Sequence, residues 1–177
     1  MIVDYDEAWP RHFSEVKDCL ERILAEHIQS VEHVGSTSVP GIVAKPIIDI
    51  HVVVRDDQEM GQVVESLAVL GYVHEGDGGI PGRERFRRKG PDVPFLDPKR
   101  DWYPHHLYAS LEGAVELERH LTFRDHLRKD EADREAYAEL KRSLVAEHGY
   151  DREAYQEGKT DFIEAVLARA GEATGGE

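Results

Sequence analysis

The first half of the chain alternates between apolar residues spaced for helices and short runs typical of strands. Apolar residues recur at helical spacing over 13–24 and again over 60–70. Four runs are typical of strands: 31–34, 46–54, 72–75 and 105–110. The run 46–54 is β-branched and nearly continuously apolar, which predicts a strand in the interior of a sheet.

Beyond Glu112 the pattern becomes helical. Apolar residues predict one helix around 117–127, a second over 137–145 that stops at Gly149, and a third over 155–167 that Asp151 caps. We therefore predict an α/β (α+β) fold, with a mixed β-sheet packed with helices and a helical C-terminal part. The length of the chain predicts a single domain over residues 1–170, and we expect a frayed tail over 171–177.

Charge and composition narrow the function classes. Acidic residues outnumber Lys and Arg by 36 to 22, so a net charge of -14 opposes broad nucleic-acid binding. No apolar run reaches the length of a membrane span, and the N-terminus lacks the pattern of a signal peptide. Together with a single cysteine, Cys19, the last two features predict a cytoplasmic protein. The negative charge leaves open a local basic pocket for a small-molecule partner, a nucleotide or phosphometabolite.

Two features point to chemistry. Period two along the strand 46–54 places Asp49 and His51 on one face, and a carboxylate among isoleucines must be paired, hydrogen-bonded or bound to metal. The small residues Gly35 and Ser36 end the preceding strand in a tight bend, where backbone N–H groups can approach an anion. We expect the bend and Asp49 to meet at one pocket, although Asp49 capping the N–H groups of the bend is an equal alternative.

These features resemble a known family. Nucleotidyltransferase-like proteins carry a Gly-Ser bend followed on the next strand by an Asp-x-Asp/Glu pair, which Gly35-Ser36 and Asp49-Ile50-His51 resemble. The segments 32–41 (EHVGSTSVPG) and 44–50 (AKPIIDI) are similar to the signature of the GrpB family, and the resemblance extends from about Tyr5 to Leu167. It implies the fold and a ligand pocket, whereas the family's activity is not established.

The resemblance and the residue types suggest roles for individual side chains. Asp49 is the candidate catalytic residue and carrier of Mg²⁺ or another divalent metal, with a nucleoside triphosphate as the ligand. The candidate phosphate-binding residues are Gly35, Ser36, Thr37, Lys45, Arg85 and Arg87. The two arginines belong to the basic run 83–89, for which a solvated edge strand is an equally good interpretation. Lys45 pairing with a carboxylate is the alternative to phosphate binding.

One position departs from the pattern of active transferases. His51 occupies the place of the second carboxylate, so a clamp of two Mg²⁺ ions is hard to assemble. Asp49, His51 and His106 would instead form a two-imidazole, one-carboxylate set that suits a transition metal. A hydrogen-bonded core histidine is the simpler interpretation of His51.

Three functions remain open. The first is transfer of a nucleotidyl or related phosphoryl group from a nucleoside triphosphate to a small acceptor. The second is a non-catalytic module that binds a nucleotide or a phosphometabolite. The third, ranked behind both, is a metal-binding protein or hydrolase that uses Asp49, His51 and His106.

Overall fold

The computed structural model describes residues 2–149 and 151–174. Its backbone divides into two compact units. We call Glu7–Val34 with Ile47–Glu118 the sheet unit, and the described parts of Met1–Asp6, Gly35–Pro46 and Arg119–Glu177 the helical unit. The expectation of one domain over 1–170 stays a prediction.

A five-stranded mixed sheet forms the centre of the sheet unit. Its strands are β1 (Ser30–Val34), β2 (Ile48–Val54), β3 (Tyr72–His74), β4 (Arg83–Arg88) and β5 (His105–Leu111). They lie in the order β1-β2-β5-β4-β3, where β2 and β5 run parallel and the other neighbours are antiparallel. The strand predicted over 46–54 is therefore an inner strand, as expected. The basic run forms β4, which is also an inner strand and not an edge.

Two helices cover one face of this sheet. Helices α1 (Trp9–Leu24) and α2 (Asp57–Val69) occupy the regions with the predicted helical spacing. Their buried residues pack with alternate residues of β2 and β5: Val16, Leu20, Val63, Leu67, Ile48, Ile50, Val52, Leu107 and Ala109. Each such side chain contributes on the order of 1.5–3 kcal/mol when it is fully buried. We call this side of the sheet the core face.

The helical unit contains the C-terminal helices. They are α3 (Val115–Lys129, of which the part from Arg119 belongs to this unit), α4 (Glu131–His148), α5 (Arg152–Glu157) and α6 (Thr160–Thr174). Tyr137 of α4 is buried with Val39 and Ile42 of the Gly35–Pro46 segment. The predicted α/β class with a helical C-terminal part is confirmed.

One predicted helix is in fact two. The pattern over 155–167 predicts a continuous helix, but the chain breaks between α5 and α6. A side chain at Gly158 would collide with Leu144 of α4, so the close approach of α4 requires glycine here. Helix α6 continues to Thr174, and the rest of the tail predicted over 171–177 lies outside the described residues. Among the described residues, no helix has the length and apolar character that a membrane span requires.

A buried histidine and tyrosine pair on the core face. His105 is 5% exposed, its Nδ1–H donates to the Tyr103 carbonyl at 2.9 Å, and its Nε2 lies 2.6 Å from the Tyr72 hydroxyl. Since a carbonyl can only accept, Nε2 of the neutral ring accepts from Tyr72. Burial lowers the pKa of His105 from 6.5 to about 4.

A buried lysine anchors the Gly35–Pro46 segment. Lys141 of α4 is 3% exposed, and its ammonium donates to Ser36 Oγ at 2.7 Å and to the Val43 carbonyl. The ring of Tyr137 lies 5.3 Å from the same ammonium. Because a buried charge is costly unless it is hydrogen-bonded, these contacts hold both the lysine and the segment in place.

We expect the buried His105 to lower the free energy of unfolding in acid. Its folded pKa lies below its ordinary value, so the unfolded chain binds the proton first. The stabilisation is present above pH 6.5 and is lost as the pH falls towards 4, by about 3 kcal/mol in total. Urea unfolding at pH 6.5 and pH 4 should therefore show a smaller acid loss in His105→Gln than in the wild type. The control His74→Gln, which changes a more exposed histidine of β3, should behave as the wild type. Equal acid losses in all three proteins would contradict the assignment.

Lys141→Met should lower the free energy of unfolding by about 1–3 kcal/mol, because the buried Val43 carbonyl loses this donor. The exposed residue Lys129 supplies the control, since Lys129→Met should stay within about 0.5 kcal/mol of the wild type. Urea unfolding at neutral pH measures both. An equally small effect of the two substitutions would exclude the anchoring role.

Candidate functional site

The side of the sheet opposite the core face carries the charged and polar residues. Strand pairing sets Asp49 opposite His106, and His51 opposite Tyr108. The neighbouring strands contribute Glu32 of β1, opposite His51, and arginines of β4. We call this surface the polar face and define it by Glu32, Asp49, His51, Arg83, Arg85, Arg87, His106, Tyr108 and Ser110.

Asp49 and His106 form a titratable pair on the polar face. The carboxylate Oδ1 lies 2.9 Å from the imidazole Nδ1. The His106 side chain is 54% exposed and that of Asp49 34%, so a solute can reach the imidazole. Because a carboxylate only accepts, Nδ1 carries the hydrogen and Nε2 of the neutral ring keeps a lone pair.

His51 contacts Ser110 and Tyr108. It is fully buried, its Nδ1 lies 2.8 Å from Ser110 Oγ, and its ring stacks on Tyr108 with centroids 4.9 Å apart. These contacts agree with the interpretation of His51 as a hydrogen-bonded core histidine. Its role as a metal ligand stays a prediction.

The two predicted phosphate-binding arginines share one carboxylate. Arg85 and Arg87 each place Nε 3.0 Å from an oxygen of Glu75. Both guanidinium groups are about half exposed. Since one carboxylate faces two guanidinium groups, a single positive charge remains uncompensated within this trio.

The predicted phosphate-binding bend lies in the helical unit. Gly35 adopts φ 70°, a conformation that favours glycine, and its carbonyl accepts from the Ser38 hydroxyl at 2.6 Å. Thr37 is buried, and Arg128 of α3 donates to the Ser38 carbonyl through Nε and Nη2. Together with Lys141, these bonds make the bend rigid, which is a requirement for an anion site built from backbone N–H groups.

Lys45 lies at the end of the same segment and is exposed. Its ammonium is 5.5 Å from the centroid of the Tyr155 ring, and that of Lys159 is 4.5 Å from the same centroid. No described residue forms an ion pair with Lys45, so the alternative of a carboxylate partner is not observed in the described part of the chain. Phosphate binding by Gly35, Ser36, Thr37 and Lys45 stays a prediction.

Within the described residues, the side chains close enough to share a metal are not the predicted ones. Asp49, His51 and His106 do not bring three ligand atoms within 4.8 Å of one another, whereas His126, Asp130 and Asp133 do. In that group, however, Asp133 Oδ2 already lies 2.7 Å from both His126 Nε2 and Arg169 Nη2. The guanidinium of Arg169 holds the pKa of Asp133 below its usual range and occupies the place of a cation.

The environments of two residues, Lys141 and Ser110, were not predicted from the sequence. For Lys141 the sequence favours a surface salt bridge with its acidic neighbours over a place at the ligand pocket. Lys141 lies, however, among Tyr137 and Leu144 on the apolar stripe of α4, a spacing that could have revealed its burial. Ser110 had a signal too, because period two along β5 places it on the face of His106 and Tyr108.

Relatives match almost the whole chain. The profile of the family described as "GrpB protein" matches residues 1–169. The UPF0157 protein YqkA of Bacillus subtilis is 36% identical over 96% of this chain, which spans only 46% of YqkA. A crystal structure of the conserved protein GrpB from Enterococcus faecalis superposes with a TM-score of 0.81 at 31% identity and covers 98% of this chain and 99% of that one.

A weaker likeness is to the structure of Cid1 in complex with its short product ApU. It has a TM-score of 0.48 and 10% identity, over 82% of this chain and 45% of Cid1, and it carries no argument about activity. The match of the family profile and the 31% identity across the full length of the Enterococcus protein decide the family. This chain belongs to the GrpB family.

Proposed function

We propose that this protein transfers a nucleotidyl or related phosphoryl group from a nucleoside triphosphate to a small acceptor, and that Asp49 and His106 activate the acceptor. The observation that carries this proposal is the 2.9 Å contact between Asp49 Oδ1 and His106 Nδ1 on an accessible imidazole. A carboxylate that orients a histidine is a recurring arrangement for general-base catalysis.

The pair acts on the acceptor hydroxyl. Asp49 holds the ring with its Nδ1–H inward, and the lone pair of Nε2 takes the proton of the acceptor. The acceptor oxygen then bonds to the α-phosphorus, the bond from that phosphorus to the pyrophosphate oxygen breaks, and pyrophosphate leaves. His106 is thus the catalytic residue and Asp49 its positioning residue.

Charge on the same face supports an anionic substrate. Arg85 lies opposite Tyr108, two residues beyond His106, and Arg87 belongs to the same face. The positive charge that Glu75 leaves uncompensated is unusual in a chain of net charge -14. A triphosphate would find its counter-charge here.

A divalent ion at Asp49 and His106 would take its remaining ligands from the substrate phosphates and water. Asp49 and His106 provide two ligand atoms, and in the described part of the chain no third His, Cys, Asp or Glu atom joins both within 4.8 Å. The position of the second carboxylate is taken by His51, which Ser110 engages. The transfer step proposed above requires only the histidine and its carboxylate.

Labelled nucleoside triphosphates incubated with a metabolite pool should yield a labelled product. His106→Gln should lower its rate by about 10²–10⁴-fold, the usual contribution of a general base. Asp49→Asn should lower kcat with little change in KM, and Asp49→Glu should restore part of kcat because it returns the carboxylate. His74→Gln is the matched control and should leave the rate unchanged. A product formed equally well by His106→Gln would refute the role of the pair.

A non-catalytic module that binds a nucleotide or phosphometabolite is the second candidate. The observation that favours it is the engagement of His51 by Ser110 at the position where a transferase needs an acid. It predicts saturable thermal stabilisation by a nucleotide, of about 2.7 kcal/mol at a hundredfold excess over Kd, without turnover. Differential scanning fluorimetry and product analysis on the same samples separate the two candidates.

A further inference from the structure

The four arginines of β4 have different partners. Arg85 and Arg87 share Glu75. Arg88 donates to four backbone carbonyls of the following loop: Pro91, Val93, Trp102 and Tyr103. Arg83 forms no ion pair with any described residue. Its charge is therefore the least compensated of the four.

The Arg83 side chain is nevertheless held in one place. Its Cζ lies 4.8 Å from the centroid of the Tyr108 ring, which is the distance of a cation–π contact. Its Nη2 lies 3.4 Å from the Asp77 carbonyl, a long hydrogen bond. Tyr108 in turn stacks on the buried His51, so the guanidinium lies on a rigid support.

One atom of Arg83 is in an unusual state. Among the side chains that the structure describes, its Nε is the buried nitrogen or oxygen atom that finds no hydrogen-bond partner. A buried donor without an acceptor is costly. In native proteins such a donor is satisfied by an ordered water, an ion or a ligand.

The free donor has the geometry for an oxyanion. The N–H groups of Nε and Nη2 lie along the same edge of the planar guanidinium and together can bind two oxygens of one phosphate or carboxylate. Gly78 lies beside this group, since a Cβ there would be 3.5 Å from Nη2. With φ +60° and no side chain, Gly78 lets the backbone approach the guanidinium closely.

Arg83 is also at a useful distance from His106. Its guanidinium lies over Tyr108, and Tyr108 follows His106 by two residues on the same face. Two residues of a strand span about 7 Å. Arg83 itself pairs with Ser110, so the guanidinium reaches towards His106 by extending over Tyr108.

We propose that Arg83 is the oxyanion-binding arginine of the polar face and holds a phosphate or pyrophosphate group of the small substrate. This inference rests on the proposed function for the identity of that substrate. Arg83 thus provides the main contact to the anion. Arg85 and Arg87, the predicted phosphate-binding arginines, share the carboxylate of Glu75. Because Nε is buried in the absence of an anion, the anion contacts the Nη atoms first.

Binding of pyrophosphate, measured by isothermal titration calorimetry in the absence of any acceptor, tests the proposal. Arg83→Gln should weaken binding by about 10–100-fold, because a charge-assisted bidentate contact is lost. Arg83→Lys should retain the charge and recover only part of the affinity. Lys89→Gln removes a positive charge at an exposed residue just beyond the same strand and is the matched control, with an expected change below about threefold. The melting temperature of each variant without ligand verifies that it is folded.

Three results would overturn the proposal. They are an equal or larger loss in Lys89→Gln, an unchanged affinity in Arg83→Gln, and no binding of pyrophosphate by the wild type. Tighter binding of citrate than of pyrophosphate would reassign the site to carboxylates and overturn the phosphate assignment. The test is independent of turnover, since His106→Gln should bind pyrophosphate as the wild type does even if no transfer reaction exists.

Discussion

The parallel pairing of β2 with β5 in a single register is the constraint on which the rest of the structure depends. Because side chains alternate along a strand, this register directs Ile48, Ile50 and Leu107 to the core face and brings Asp49 opposite His106 on the other. A slip by one residue in either strand would bury charged groups among isoleucines. The hydrophobic energy of the core therefore also maintains the geometry of the candidate catalytic pair.

Two adjacent histidines have different environments because they lie on opposite faces of the sheet. His105 points to the core, is satisfied by Tyr72 and Tyr103, and stays neutral because burial lowers its pKa. His106 points the other way, remains accessible, and meets a carboxylate. The same side chain thus has a structural role at one position and a proposed chemical role at the next.

Acceptors likewise distinguish the arginines of β4, although Arg83, Arg85 and Arg87 share one face of the strand. Arg85 and Arg87 both contact Glu75, and Arg88 donates hydrogen bonds to loop carbonyls. Arg83 lies on Tyr108 with a donor that no described residue satisfies. In a chain of net charge -14, such a group is a strong candidate for an anionic ligand.

Local patterns in the sequence by themselves determined the inner strand 48–54, the shared face of Asp49 and His51, and most helices, because these depend on periodicity and neighbouring residues. They did not reveal the break between α5 and α6, the close approach of Leu144 to Gly158, or the burial of Lys141. Only the tertiary structure decided that Asp49 contacts His106 while His51 turns to Ser110, and which arginine keeps its charge uncompensated. The reason is physical: these outcomes depend on strand register and on distances between residues remote in the chain, which local periodicity does not encode.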